Sequence, residues 1–582
     1  MIKKARGKEE RMKSVFKGIW LSLLVTGLTA ISSQAIAGIF LDEDRAIVVT
    51  ARAYTLARIL SQEPERFRAE QYPVGSWSLL QQRTYFEPQL LHDLSPRTNV
   101  TPELRFLRDT LRIDNIRYFI GARMEYDGIY DYGPEVYREE VPSATREELK
   151  WKARVFEAYA DFRFLRRLNM RIGKQNISWG ETDVFRLLDL INPLDQSFGG
   201  FLIPLDERRV PSFMIKGSLD AGSLGAFYNI ALEGFVEPDP EILWGPTFPL
   251  GSPWALITGP PSALEYRLED KEQWEDSRGG TRLLTTIGDY SLSLANYWTY
   301  PEVPTPVLKF DQEKLASLAE DIPEVEAAYP AGVPYLELNY PKIMVSGASL
   351  SGPIPLFPYT IFRTEFAYIW DHPVFIPGGN IPLLLPLLEL DEEKIDDYIA
   401  QLDALQRQQS ILTQGLAGVI EKRDLIRWNV GIDDNRWIRF LNPRQTFFIS
   451  LQFFGEHYRE LPEGAAYTLQ ERALVREVTL PDGSKTTLAK PFFVPLPINS
   501  YKATSLIRTG YPLWRGYLTP ELTTMFDFGD FDAFTYLLQP SLNYYRDPYR
   551  FRIEYNHIEG EYSGLGFYKD RDNLMFKLDY MI

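Results

Sequence analysis

The chain has 582 residues and no cysteine, with 45% hydrophobic residues and 14% aromatics (35 Phe, 33 Tyr and 12 Trp). Disulfide scaffolds, thiol catalysis and cysteine-ligated metals are therefore excluded, and a formal charge of -16 at pH 7 argues against a nucleic-acid partner, which needs a concentrated positive field. The length suits either several soluble domains or one large β-barrel, and so many aromatics suit a protein with water on one face and lipid on another.

The N-terminus reads as an export signal. Seven basic residues from Lys3 to Lys17 precede the apolar run Ile19-Trp20-Leu21-Ser22-Leu23-Leu24-Val25, and Ala35-Ile36-Ala37 has the small-x-small pattern of a cleavage site. A signal peptide over 1–37 is predicted, with Met12 as an alternative start and a mature chain over 38–582. Losing seven Lys/Arg and two Glu would take the net charge from -16 to -21. Beyond residue 38 no apolar run of about 18 residues occurs, so crossing a membrane by helices is not expected.

The segments that follow alternate with period two. In Asn115 to Asp127, Ile116, Tyr118, Ile120, Ala122, Met124 and Tyr126 share one face, opposed by Arg117, Phe119, Gly121, Arg123, Glu125 and Asp127. The next run sets Phe156, Ala158, Ala160, Phe162 and Phe164 against Glu157, Tyr159, Asp161 and Arg163. Ile426, Trp428, Val430 and Ile432 oppose Arg427, Asn429, Gly431 and Asp433, and Phe551, Ile553 and Tyr555 oppose Arg550, Arg552, Glu554 and Asn556. The chain ends on Leu574, Phe576, Leu578, Tyr580 and Ile582 at the same spacing. A β-sandwich with one solvated face would also alternate, but runs of roughly ten residues exceed the usual five or six and match tilted membrane-spanning strands.

Connection lengths point the same way. Tight hairpins are predicted at 165–167, 219–222, 288–289 and about 434–442, separated by long links at 180–208, 234–279, 301–339, 372–422 and 458–500. Short and long connections alternate in an outer-membrane barrel because its periplasmic turns are tight and its external loops are free to grow. The predicted fold is thus all-β: a transmembrane antiparallel β-barrel of about 16 to 18 strands, with long external loops, a lumen-facing segment and one helical loop insert. The insert is the amphipathic stretch 391–422, more readily a loop helix packed on its neighbours than a partner-binding one.

One segment stands apart. Met170-Arg171-Ile172-Gly173-Lys174-Gln175-Asn176-Ile177-Ser178-Trp179-Gly180-Glu181 continues through Phe185 to Ile191-Asn192-Pro193-Leu194-Asp195. Physically it is a strand followed by Gly180, which lets the chain leave the wall, and by helix-like apolar spacing stopped at Asn192-Pro193. It either folds into the lumen, with Arg171, Lys174, Gln175, Trp179, Glu181 and Arg186 lining a constriction, or braces the barrel rim. Together with Gly279-Gly280-Thr281-Arg282, the strand from Tyr340-Pro341 to Gly347, and Glu365 to Asp371-His372-Pro373-Val374, it resembles an uncharacterised proteobacterial outer-membrane family, domain of unknown function thirteen-oh-two. The resemblance spans most of the mature chain, though only the segment around 170–195 is specific. It implies a porin-like barrel in the outer membrane of a Gram-negative bacterium, working beside an inner-membrane exporter and a periplasmic lipoprotein on hydrophobic compounds.

Candidate lumen-lining residues are thus Arg117, Arg123, Glu125, Asp127, Glu157, Asp161, Arg163, Arg171, Lys174, Gln175, Trp179, Glu181, Arg186, Arg427 and Glu554, whose mixed signs suggest paired charges more than a filter for one ion sign. The four histidines, His92, His372, His457 and His557, do not fall at metal-ligand spacing, and no nucleophile motif is present, so neither an enzyme nor a cofactor is expected. Two readings remain. One is a channel or transport component in the lipid membrane, for small apolar solutes or lipids, its apolar Pro-punctuated loop runs at 244–250 and 376–390 folding inward or packing as a lid. The other is an interaction barrel, such as a sheath for an electron-transfer protein or an adhesion scaffold.

Overall fold

A computed structural model describes residues 38–581 apart from 63–73, 96–101, 111, 142, 183–184, 196–198, 240–251, 255–264, 269–274, 303, 322–332, 377–418, 441, 480–484, 530–532 and 561–563. The predicted signal peptide, the apolar loop runs and nearly all of the predicted amphipathic insert lie outside these residues. Alternating segments pair into a wall of long strands. In chain order these are β1 (Ile47–Leu60), β2 (Leu79–Asp93), β3 (Ile113–Asp127), β4 (Trp151–Phe164), β5 (Leu168–Gln175), β6 (Ser212–Leu224), β7 (Phe227–Glu237), β8 (Arg278–Ile287) and β9 (Tyr290–Thr299). The wall continues through β10 (Ile343–Pro353), β11 (Thr360–Ile376), β12 (Val419–Arg436), β13 (Phe447–Tyr458), β14 (Tyr501–Gly510), β15 (Leu518–Gly529), β16 (Ala533–Arg546), β17 (Tyr549–Gly560) and β18 (Asn573–Met581).

Each strand pairs antiparallel with the next, and β1 pairs with β18 from Arg52↔Met581 to Leu60↔Asn573. That last ladder closes the sheet, so no wall strand is left with an open edge and every wall backbone group can be satisfied within lipid. Among the described residues no helix is long and apolar enough to cross a membrane. Eighteen strands enclose a bore that would be an aqueous channel if left empty.

The exterior is apolar because the strand period demands it. Ile120, Met124, Phe213, Leu232, Leu294, Val430, Ile432 and Phe453 are all exposed on the outer face. Aromatic side chains mark both rims, with Trp151, Trp298, Trp370 and Phe528 toward the long-loop end and Tyr359, Trp437, Trp514 and Tyr517 at or beside the short turns, as expected of interfacial belts. Trp428 and Ile449 share the outer face, so arginine at either should cost about 2–4 kcal/mol near the midplane, whereas Arg117→Ala, exposed on the inner face opposite Asp161, should cost far less. Thermal midpoints of the two classes of variant in detergent will check this, and equal tolerance would contradict the assignment of faces.

Connections follow the predicted parity in the middle of the chain. The turns at 165–167, 288–289 and 354–359 are short, and the links 176–211, 238–277, 300–342, 377–418 and 459–500 are long. Two expectations need correction. The hairpin placed at 219–222 closes instead at Gly225-Ala226, and the earlier residues form an irregularity in β6, with register shifts at Asp220/Gly222 and at Gly222/Leu224. Positive φ at both Gly222 and Gly225 gave the sequence two equally good turn positions. Phe156 is also not on the lipid face. A bulge pairs Gly121 with Glu157 and Ala122 with Val155, so the extra residue reverses the phase and Phe156 turns inward, 5% exposed, beneath the Arg123 guanidinium. Outside the wall, a small sheet formed by Glu265–Leu268, Thr305–Asp311 and Val333–Asn339 and a hairpin over Ala466–Pro497 extend the long-loop end.

Candidate functional site: a constriction built by the chain itself

The β5–β6 connection does not stay at the rim. After Gln175 the chain turns into the bore, where Ile177, Trp179, Leu187, Leu188, Leu190 and Ile191 are at most 4% exposed. Trp179 packs edge-on against Phe235 of β7 and Tyr297 of β9, with ring centroids 5.3 and 5.6 Å apart. Phe185 meets Phe454 of β13 at 4.9 Å. The segment thus touches well-separated parts of the wall and crosses the lumen, which favours the inward-folded alternative over the rim brace. A helix-like stretch over 184–191 is not formed: the described residues there make bends rather than a helix. Two of their carbonyls accept from wall side chains instead, Tyr297 Oη donating to Leu188 O and Thr299 Oγ1 to Leu190 O, both at 2.8 Å.

The sequence stretches that carry the family resemblance converge on this segment. Gly280 sits where a Cβ would lie 2.1 Å from Tyr297 Cβ, and a Cβ on Gly347 would lie 2.3 Å from Leu188 Cδ2. Gly347 therefore lets the wall approach the segment closely, and Gly280 leaves room for Tyr297, the ring that packs on Trp179. Arg282 lies over the Trp179 ring at 5.4 Å and is held by Glu233 at 2.7 Å. Glu365 accepts the backbone N–H groups of Glu181 and Thr182, and Arg363 donates to Glu181 O at 2.7 Å. Gly173 has φ 135, and a Cβ there would meet Ala158 O at 2.2 Å, so the position before Lys174 admits only glycine without strain.

At its C-terminal end the segment forms the short helix α1 (Leu205–Arg208), which carries Glu207 into a cluster of cations on the inner wall. Glu207 Oε2 accepts from Tyr54 Oη at 2.6 Å and from Arg83 Nη1 at 3.1 Å, while Oε1 lies 3.1 Å from Arg52 Nη2 and 3.9 Å from Lys577 Nζ. Arg123 Nη1 donates to the Glu207 carbonyl at 2.8 Å. Burial alone would raise this carboxyl, but Lys577, Arg83 and Arg52 outweigh it and hold the group at about 2. The anionic end of the segment is thus clamped to β1, β2, β3 and β18.

Most predicted lining residues are found on the inner wall as pairs rather than as an open charge ring. Arg123 bonds Glu87 at 2.8 Å, Glu125 bonds Arg83, Arg163 bonds Asp114 at 2.7 Å and Arg427 bonds Glu456 at 2.6 Å. Arg171 holds Asp161 through two bonds of 2.7 and 3.0 Å. Arg117 lies opposite Asp161 in the β3–β4 register. Asp127 accepts the backbone N–H groups of Gln82 and Ile129, and Glu157 accepts that of Asn176. Arg186, on the segment, meets Glu302 at 2.6 Å, and Glu554 meets Arg552 at 2.7 Å. Gln175 is fully buried and donates to Met214 O at 2.8 Å.

Two assignments fail. Lys174 lies between inward Gly173 and Gln175 and opposite outward Phe213, so period two puts it on the outer face; a lysine near the rim can reach the interface along its own stem. Trp179 does not line water but forms part of the packed core, 1% exposed. Sequence reading also missed Arg52, Arg83, Glu207 and Lys577. Period-two spacing of Arg52, Tyr54, Leu56 and Arg58, and the charge run Asp206-Glu207-Arg208-Arg209 inside a long link, were the available signals. The histidines take part in hydrogen bonding, His92 with Tyr118 and His557 with Asp572, each at 2.5 Å, and among the described residues no three metal-ligating side chains gather.

The crossing segment leaves a cavity to one side. Between 202–209 and the inner faces of β1 and β14–β18 lies a cavity of about 430 Å³. Leu56, Leu205, Met525, Leu537 and Met575 form one part of its lining, and charged side chains form the rest.

Fold and site together define a closed transmembrane-type β-barrel whose bore is constricted by a segment of its own chain. The protein belongs to the family described as protein of unknown function (DUF1302), whose sequence model matches residues 20–582. No curated protein matches the chain. It is similar to the solved structures of OccAB2 of Acinetobacter baumannii (10% identity, 94% of this chain and 99% of that one, TM-score 0.42) and OccK9 (OpdG) of Pseudomonas aeruginosa (8% identity, 93% and 98%, TM-score 0.42). A further one is the Pseudomonas aeruginosa outer membrane protein opdK (7% identity, 92% and 98%, TM-score 0.38).

Proposed function

We propose that this protein is an outer-membrane channel or transport component that passes small solutes with a large apolar part, or lipids, along the side passage left by its inward-folded segment. The observation that carries this reading is the partly apolar cavity of about 430 Å³ between the clamped segment and an otherwise continuous wall. That volume falls within the range of small-molecule sites, roughly 300–1,000 Å³. A sheath for an electron-transfer protein would need a bore free for its guest, whereas here the bore holds the chain's own Trp179, Leu188 and Ile191. The apolar exterior is solvated by outer-membrane lipids, and an inner-membrane exporter with a periplasmic lipoprotein would supply or receive the solute at the short-turn end.

The protein should fractionate with the outer membrane and migrate differently on gels before and after boiling. Reconstituted into liposomes, it should speed the entry of small amphipathic solutes while ion conductance in planar bilayers stays low. Recovery as a soluble periplasmic protein, or liposomes no more permeable than empty ones, would overturn the proposal.

A further inference from the structure

The lining of the side passage carries six cations, Arg58, Arg208, Arg209, Arg508, Arg552 and Lys577, against three carboxylates, Asp206, Glu207 and Glu554. This excess stands inside a chain whose overall charge is -16. Several of the cations are already matched. Arg209 is held by Asp189 and Asp206, Arg58 and Arg552 share Glu554, and Lys577 stands near Glu207 and Asp579.

Arg208 differs from these. It is 6% exposed, its Nε has no hydrogen-bond partner, and among the described residues no carboxylate lies within ion-pair distance of its guanidinium. Glu302, already bound by Arg186, acts on it only from further away. Burial, with repulsion from Arg186 added, brings the group down to about 10, so it is still charged at neutral pH. A buried cation without a counter-charge is costly, and an anionic ligand would remove that cost.

Resting on the channel reading above, the geometry points to the side passage as a binding site for an amphipathic organic anion, its carboxylate or comparable oxyanion on Arg208 and its apolar part along Leu205, Met525, Leu537 and Met575. Arginine suits this role because its planar donors match two oxygens of one acid group. Leu205 and Arg208 lie on one short helix, so the helix presents an apolar and a charged contact to the same space.

The test uses the full protein in lipid nanodiscs and three probes of one size: 4-phenylbutyrate, 4-phenylbutanol and 4-phenylbutylammonium, with binding followed calorimetrically. The butyrate should bind at least about tenfold more tightly than the alcohol, and the ammonium should not bind detectably. In Arg208→Gln the butyrate should lose about tenfold while the alcohol is unchanged; in Leu537→Gln the alcohol and the butyrate should weaken together. Equal affinity for butyrate and alcohol in the native protein, or no change in butyrate binding on Arg208→Gln, would overturn the site. The native comparison decides even if a variant fails to fold. Solute entry into liposomes without preference for the anion would end this inference and leave the channel reading standing.

Discussion

Glu207→Gln is expected to release the constriction while the barrel wall persists. The substitution keeps an acceptor for Tyr54 but removes the negative charge shared by Arg52, Arg83 and Lys577. Breaking a buried ion pair by deleting one partner costs about 3–5 kcal/mol, and Glu125 and Asp579, which remain beside these cations, keep the expectation at the lower end. Hydrogen exchange over 187–191 should then speed by roughly a hundredfold or more, since each 1.4 kcal/mol is a factor of ten, and ion conductance should rise. Asp206→Asn, whose side chain is 89% exposed, should change neither. The pH dependence has a definite sign. Because the Glu207 carboxyl is lowered from 4.5 to about 2, its contribution is fully present above about pH 4.5 and is lost as pH falls toward 2. Native conductance should therefore begin to rise only in that acid window. Unchanged exchange in Glu207→Gln would refute the clamp.

The barrel was legible because one physical rule repeats along it. Arg123, Glu125 and Arg427 face inward and Ile120, Met124 and Val430 outward wherever two-residue periodicity is uninterrupted. The rule fails where an extra residue enters a strand. Phe156 has the character of a lipid-facing residue, and only the register between β3 and β4 shows that a bulge has turned it inward. Lys174 fails for the opposite reason: chemistry suggested the lumen, while strict alternation beside Arg171 and Gln175 already placed it outside. The clamp was less readable still. Glu207 lies in an irregular link and its partners on strands distant in sequence, so the contact exists only once β1 and β18 have closed the wall. By contrast, Gly280, Gly347 and Glu365 were visible as parts of a family-like pattern, but what they do, leaving room for Tyr297 beside Trp179, admitting Leu188 and accepting the Glu181 backbone, requires the segment to be inside.

Replacing the crossing segment should convert the protein into an open pore. Gln175 and Ser212 are directly opposed in the β5–β6 register, so the wall itself needs only a tight turn between them and the connection 176–211 is surplus to closure. A variant in which 176–211 is replaced by an Asn-Gly turn keeps every wall ladder. It loses the packing of Trp179 on Phe235 and Tyr297 and leaves Arg83, Arg52 and Lys577 without Glu207. Buried cations facing a newly hydrated lumen regain water, so the penalty is smaller than for the same charges left dry. The barrel should therefore still resist detergent until heated. Its single-channel conductance should rise by roughly tenfold or more, because a barrel of sixteen to eighteen strands without filling holds an aqueous channel. It should also lose discrimination between charged and neutral solutes of one size, since Arg208 leaves with the segment. Conductance equal to that of the native protein would mean that other loops seal the bore. Large conductance in the native protein itself would mean that the segment does not restrict ion flow.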